Sequence, residues 1–174
     1  MDDGSLALCE HEGKTALLAV RERFVRRFRL DAQGQIRVLA QDNGPEGLAE
    51  LSLAAQLPGD ERLYLDKKNN KLVRTGAGNA WTSVDVPAYE FTHLVPHGDA
   101  ALLIGPRGVL RVPFGTGPSL QTIAVHEPPT DSTFYWNGES GDFDHDGIVD
   151  LVLLDGRLPG AQFLAGGPNG PQRA

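Results

Sequence analysis

The feature that most constrains this chain is a recurrence. Four short apolar runs, at 16–20 (ALLAV), 62–66 (RLYLD), 101–105 (ALLIG) and 150–154 (DLVLL), begin 46, 39 and 49 residues apart. Each is preceded by a strand-like stretch, at 5–10, 48–55, 89–95 and 132–138. A turn carrying Gly and a charge separates stretch from run: Glu12-Gly13-Lys14, Gly59-Asp60, Gly98-Asp99 and Gly141-Asp142. A second turn follows each run, clearest at Asn69-Asn70, Pro106-Arg107-Gly108 and Asp155-Gly156, which is good hairpin chemistry. Third stretches follow at 24–30, 71–75, 109–114 and 161–165, and fourth stretches in three units at 35–41, 81–87 and 120–126.

Four strands per unit at a period of about 40–50 residues is the content expected of β-propeller blades. The predicted fold class is all-β, a propeller-like array of four antiparallel meander blades over 5–41, 48–87, 89–126 and 132–166 in one domain. In the last unit a Gly-rich turn at 166–170 precedes the end of the chain, and no fourth strand is expected. The array therefore reads either as a fragment of a larger propeller or as a four-unit object with a ragged seam. Composition agrees: 21 Gly and 12 Pro in 174 residues favour many turns and short strands over long helices.

Two segments also fit helices. Residues 14–30 place Leu17, Val20, Phe24 and Phe28 on one helical face, and 45–55 could form one short helix. The strand reading is preferred because the other units hold no helical counterpart.

One motif carries chemistry. Residues 142–150 read Asp-Phe-Asp-His-Asp-Gly-Ile-Val-Asp, with carboxylates at loop positions 1, 3, 5 and 9 and Gly147 at position 6. Alternate side chains can turn inward around a hard cation, Gly permits the reversal, and the Ile148 carbonyl can join them. Four carboxylates held this close repel one another unless a divalent ion neutralises them. Oxygen-only donors favour Ca²⁺ over zinc or copper, and a flexible multi-carboxylate loop suits it better than Mg²⁺. The loop is not an EF-hand: Leu153 stands where that motif needs a bidentate Glu, and a strand follows instead of a helix.

The run 141–154 (GDFDHDGIVDLVLL), entered from a strand with Trp136 and left through another, resembles the FG-GAP/VCBS repeat family, which includes the calcium-binding blades of integrin-type propellers. The resemblance implies structural Ca²⁺ on Asp142, Asp144, Asp146, the Ile148 carbonyl and Asp150, in a loop joining the first two strands of a blade. It carries nothing onto the other units, whose turns lack the acidic series.

Other features read more simply as structure. A single cysteine, Cys9, excludes a disulfide framework within the chain, and Cys9 with His11 has no second pair of ligands. Arg21, Arg23, Arg26, Arg27 and Arg29 interleave with Phe24 and Phe28, but a net charge of −7 argues against nucleic acid. His93, His97 and His126 accompany no recognisable nucleophile motif, and 76–80 is a turn without phosphate-loop character. Trp81, Tyr89, Tyr135 and Trp136 read as blade packing.

Three functions compete. The preferred expectation is a calcium-stabilised module for protein or glycan binding or adhesion, not itself an enzyme. The alternative is the scaffold portion of an extracellular enzyme, for example one acting on polysaccharide, with catalytic groups outside this chain. The third is a small α+β domain with an incidental acidic turn. No apolar run is long enough to insert in a membrane, and no signal peptide is visible. A weak calcium site is useful where the ion is millimolar, so an extracytoplasmic, secreted or surface location is expected. Open blade faces imply self-association.

Overall fold

In the computed structural model, residues 5–76, 80–106, 108–114, 120–125, 136–155, 161–167 and 170–173 are described, with side chains for all of these except 60, 123–125, 136–139, 155 and 173. His126, Tyr135, 77–79 and the Trp136 side chain therefore lie outside the described residues.

Tight turns between short apolar stretches produce hairpins, and hairpins in series produce meanders. Blade 1 contains β1 (Ser5–His11), β2 (Lys14–Arg21), β3 (Phe24–Leu30) and β4 (Ile36–Asn43). Blade 2 contains β5 (Leu51–Gln56), β6 (Arg62–Asp66), β7 (Lys71–Thr75) and β8 (Trp81–Asp85). Blade 3 is β9 (His93–His97), β10 (Ala100–Gly105), β11 (Gly108–Pro113) and β12 (Gln121–Val125). Blade 4 is β13 (Trp136–Gly141), β14 (Asp150–Asp155), β15 (Ala161–Ala165) and β16 (Gln172–Arg173). Each is a four-stranded antiparallel sheet in sequence order, and the fold class is that of β-propeller blades. One 3₁₀ turn at Pro58–Asp60 joins β5 to β6.

Residues 14–30 are a hairpin, not a helix. Glu12 and Gly13 both take positive φ, 52° and 68°, in a two-residue turn that pairs His11 with Lys14. Along β2 burial alternates: Ala16, Leu18 and Val20 are at most 3% exposed, while Leu17 and Ala19 are only half-buried. That period of two splits the supposed helical face, putting Val20 inside and Leu17 opposite Phe28 on the outer surface. Residues 45–55 contain β5 and no helix. Blade 4 also gains the strand that the sequence did not suggest: β16 pairs Arg173 with Leu164 and Gln172 with Ala165.

The chain divides at Ala88 into two compact units of two blades each. In the first, Ala16, Leu18, Val20 and Val25 of blade 1 share one apolar cluster with Leu51, Ala54, Tyr64 and Val73 of blade 2. In the second, Val95, Leu102, Ile104 and Val109 of blade 3 pack with Leu151, Leu153 and Leu164 of blade 4. Each leucine buried in this way contributes about 1.5–3 kcal/mol of transfer free energy.

Candidate metal loop and ligand cleft

The acidic loop springs from a closed base. Gly141 at the end of β13 pairs with Asp150 at the start of β14, so 142–149 bulge out between paired residues. Two positive φ values make the reversal, His145 at 65° and Gly147 at 85°. The loop then folds on its own carboxylates. The amide of Gly147 donates to Asp142 Oδ2 at 3.0 Å, that of Asp146 to Asp144 Oδ1 at 3.1 Å, and that of Ile148 to Asp146 Oδ1 at 2.7 Å.

Asp142, Asp144 and Asp146 are exposed, and each offers an oxygen within 4.8 Å of the other two. They are the one such group of potential metal ligands among the described residues. Each commits one oxygen to a loop amide and keeps the second for another partner. An all-oxygen set of this kind fits a hard divalent cation such as Ca²⁺.

Asp150 behaves differently. It is fully buried and stands outside that carboxylate group. Its Oδ2 accepts from the Phe143 amide at 2.8 Å, and its Oδ1 from the Gly166 amide at 2.6 Å. The Gly166 amide, helped by those of Phe143 and Asp144, holds the carboxyl below its usual range against the opposing effect of burial. Asp150 thus ties the loop to the exit of β15. Gly166 must be glycine for this: a Cβ there would lie 2.8 Å from both Ile148 Cγ2 and the Val149 carbonyl oxygen. Ile148 is half-buried beneath that contact.

Sequence reasoning missed a second buried carboxylate. Asp66, the last residue of β6, has no exposed surface. It accepts from the Ala49 and Glu50 amides at 2.9 and 3.1 Å, and from the amide and side chain of Asn69 at 3.3 and 2.8 Å. Burial acts to raise its pKa, but these donors prevail and lower it. In sequence it is an aspartate entering a polar turn, and nothing local marks the Ala49 and Glu50 amides as its partners.

The remaining candidates sit in structural surroundings. Cys9 is buried, and burial raises its thiol pKa. Arg27 Nη1 lies 3.0 Å from His11 Nδ1, and Arg29 donates to the His11 carbonyl at 3.0 Å. Arg26 donates to Gln41 at 2.8 Å. His93 Nδ1 lies 3.0 Å from the Thr92 hydroxyl. His97 is 5% exposed, burial lowers its pKa, and its Nε2 has no hydrogen-bond partner among the described residues.

A polar cleft of about 740 Å³ lies in the first unit, with Asp42, Asn43, Glu46, Arg62, Tyr64 and Trp81 in its walls. Arg62 Nη1 bonds Asp42 at 2.8 Å and approaches the Tyr64 hydroxyl at 3.4 Å, and Arg27 approaches Asp42 at 3.6 Å. Trp81, read from sequence as blade packing, is 41% exposed on this wall. Tyr89 is also exposed, with its ring edge against Phe91.

No family model and no curated protein matches the chain. Solved structures do. A virginiamycin B lyase from Staphylococcus aureus superposes with a TM-score of 0.57 at 11% identity, over 94% of this chain and 52% of that one. A streptogramin B lyase gives 0.59 at 11% identity, over 97% and 53%. A catalytically inactive virginiamycin B lyase from Staphylococcus aureus, with quinupristin, gives 0.53 at 9% identity, over 97% and 69%. This chain spans about half the length of the first two. At such identity the likeness is one of fold. It corrects the expectation that the chain is not an enzyme: the solved structures that share the architecture are lyases, so the architecture gives no ground for that exclusion.

Proposed function

We propose that this chain is a calcium-binding portion of a β-propeller in an extracytoplasmic protein, with a structural metal loop at 142–150 and a glycan- or protein-binding role for its blade surface. One observation carries the reading: Asp142, Asp144 and Asp146 converge within 4.8 Å in a loop whose own amides already orient them. Bound Ca²⁺ would neutralise the three converging charges. Asp150 and Gly166 hold the base of the loop in place, so the loop returns to the same blade edge whether or not it is loaded. The cleft in the first unit supports the ligand-binding part. Its central arginine is already neutralised by Asp42, while Asn43 and Trp81 offer hydrogen bonds and an aromatic surface to a polar ligand.

Calorimetric titration with CaCl₂, beside thermal melts in Ca²⁺ and in chelator, tests the metal loop. Binding of one ion, lost in Asp142→Asn and Asp146→Asn, is expected. Identical melts and no heat at millimolar Ca²⁺ would remove the reading.

A second reading, the scaffold portion of an extracellular enzyme, is favoured by the likeness to lyases. Incubation with quinupristin followed by chromatography, and calorimetry with the same compound, tests it. Binding supports this reading, conversion by the chain alone would place catalytic groups within it, and the absence of binding removes it.

A further inference from the structure

We propose that the outer face of blade 1 is an assembly surface, occupied by the outer face of blade 4 of a second copy of this chain. The inference is independent of the calcium loop.

Blade 1 has two apolar faces and buries one. The inner face packs on blade 2. On the other, the strand register lines up Leu8, Leu17, Phe28 and Val38 in one row across all four strands. Leu6 neighbours that row on β1, and Leu30 pairs with Ile36 beyond it. Exposure is high: Leu6 71%, Leu8 74%, Leu30 58%, Ile36 67% and Val38 59%. A solvated sheet face carries polar residues at such positions. Arg26 and Gln41 adjoin the row beside Leu6, so the face is an apolar stripe with a polar margin, as interaction surfaces are.

Blade 4 shows the complementary condition. Its Leu151, Leu153 and Leu164 pack on blade 3. The opposite face carries Leu154 at 44% exposed and Phe163 at 36%, with Val152 paired to Phe163.

The pairing order selects the occupant. In each unit the earlier blade offers one face and the later blade offers the other. The exposed apolar faces described above belong to an earlier blade, blade 1, and to a later blade, blade 4. Joining blade 4 of one copy to blade 1 of another repeats that order, as a heterologous contact. Length agrees, because two copies match the length of one of the similar solved chains, about half of which this chain spans. In a species of two copies the contact is made twice, so that each blade 1 face meets a blade 4 face.

Light scattering on a sizing column tests this with the intact chain. A concentration-stable species of twice the chain mass is expected. A monomer at all concentrations overturns the proposal, as does a species that grows without limit. Leu8→Lys with Val38→Lys, and separately Leu154→Lys with Phe163→Lys, should each give a monomer, with the circular dichroism spectrum of the wild type confirming that these surface changes leave the fold intact. Mixing the two double variants should restore a species of twice the chain mass, because each keeps the face the other lacks. If the blade 4 double variant stays dimeric alone, the contact is blade 1 to blade 1 and the proposed pairing is wrong.

Discussion

At the end of β6, four N–H donors converge on one buried carboxylate, Asp66. In the loop before β14, three carboxylates converge on one another in solvent. Both arrangements begin from aspartates in polar turns, and they solve the problem of negative charge in opposite ways. Asp66 is satisfied by the chain itself and leaves no vacancy for an ion. Asp142, Asp144 and Asp146 each receive one amide and keep an oxygen free. Asp150 stands between the two cases: it belongs to the acidic loop by sequence and to the Asp66 type by environment. Buried carboxylates that hold N–H groups are anchors, and exposed ones that face each other are candidate ligands.

The sharpest way to break that contrast is Asp66→Ala. Removing the carboxylate leaves several N–H donors without their acceptor, and a loss of about 3 kcal/mol in urea unfolding is expected. A loss under about 1 kcal/mol would mean that water replaces the carboxylate and that the anchor is nominal. Gly166→Ala comes next, at about 1–3 kcal/mol, because its Cβ meets backbone oxygen and a packed isoleucine. Acid acts on both anchors with the same sign. The pKa values of Asp66 and Asp150 are lowered in the fold, so their contribution is complete above the ordinary aspartate value of 3.8 and is lost as pH falls through the depressed folded values. Asp66→Asn should flatten the acid limb of the stability profile.

Calcium should have a smaller effect than Asp66→Ala. At tenfold excess over the dissociation constant the gain is about 1.4 kcal/mol, read as a rise in Tm over chelator, and Asp144→Ala should abolish it. The smallest effect sharpens the comparison most. In chelator, Asp144→Asn should raise Tm slightly, by less than about 2 °C, because it relieves repulsion among exposed carboxylates. The corresponding Asn change at Asp66 should lower it.

Much of the fold was legible because its punctuation is local. Glu12-Gly13 and Gly98-Asp99 fall between apolar stretches, and in each the turn fixes the register of the two strands it joins. The span β3, Phe24–Leu30, is the same in sequence and structure, as are β6, β7 and β15. Strand β16 was not legible, since two residues after a Gly-rich turn carry no periodicity. In the acidic loop, the spacing of Asp142, Asp144 and Asp146 foretold their convergence. The same spacing grouped Asp150 with them, although Gly166, which holds it, lies sixteen residues away. Asp66 was missed for the same reason, because Ala49 and Glu50 reach it across a strand pair.

The meander order of the strands also bears on how the chain acquires its structure. Within all four sheets the strands lie in sequence order, each laddered to its sequence neighbours. The β1–β2 and β9–β10 ladders, closed by two-residue turns, can therefore nucleate with little loop-closure entropy to overcome. During synthesis a blade can zip as soon as its four strands have left the ribosome, ahead of the residues that follow. Refolding should accordingly show early hairpin protection in hydrogen exchange, at Glu12-Gly13 before the blade faces become dry.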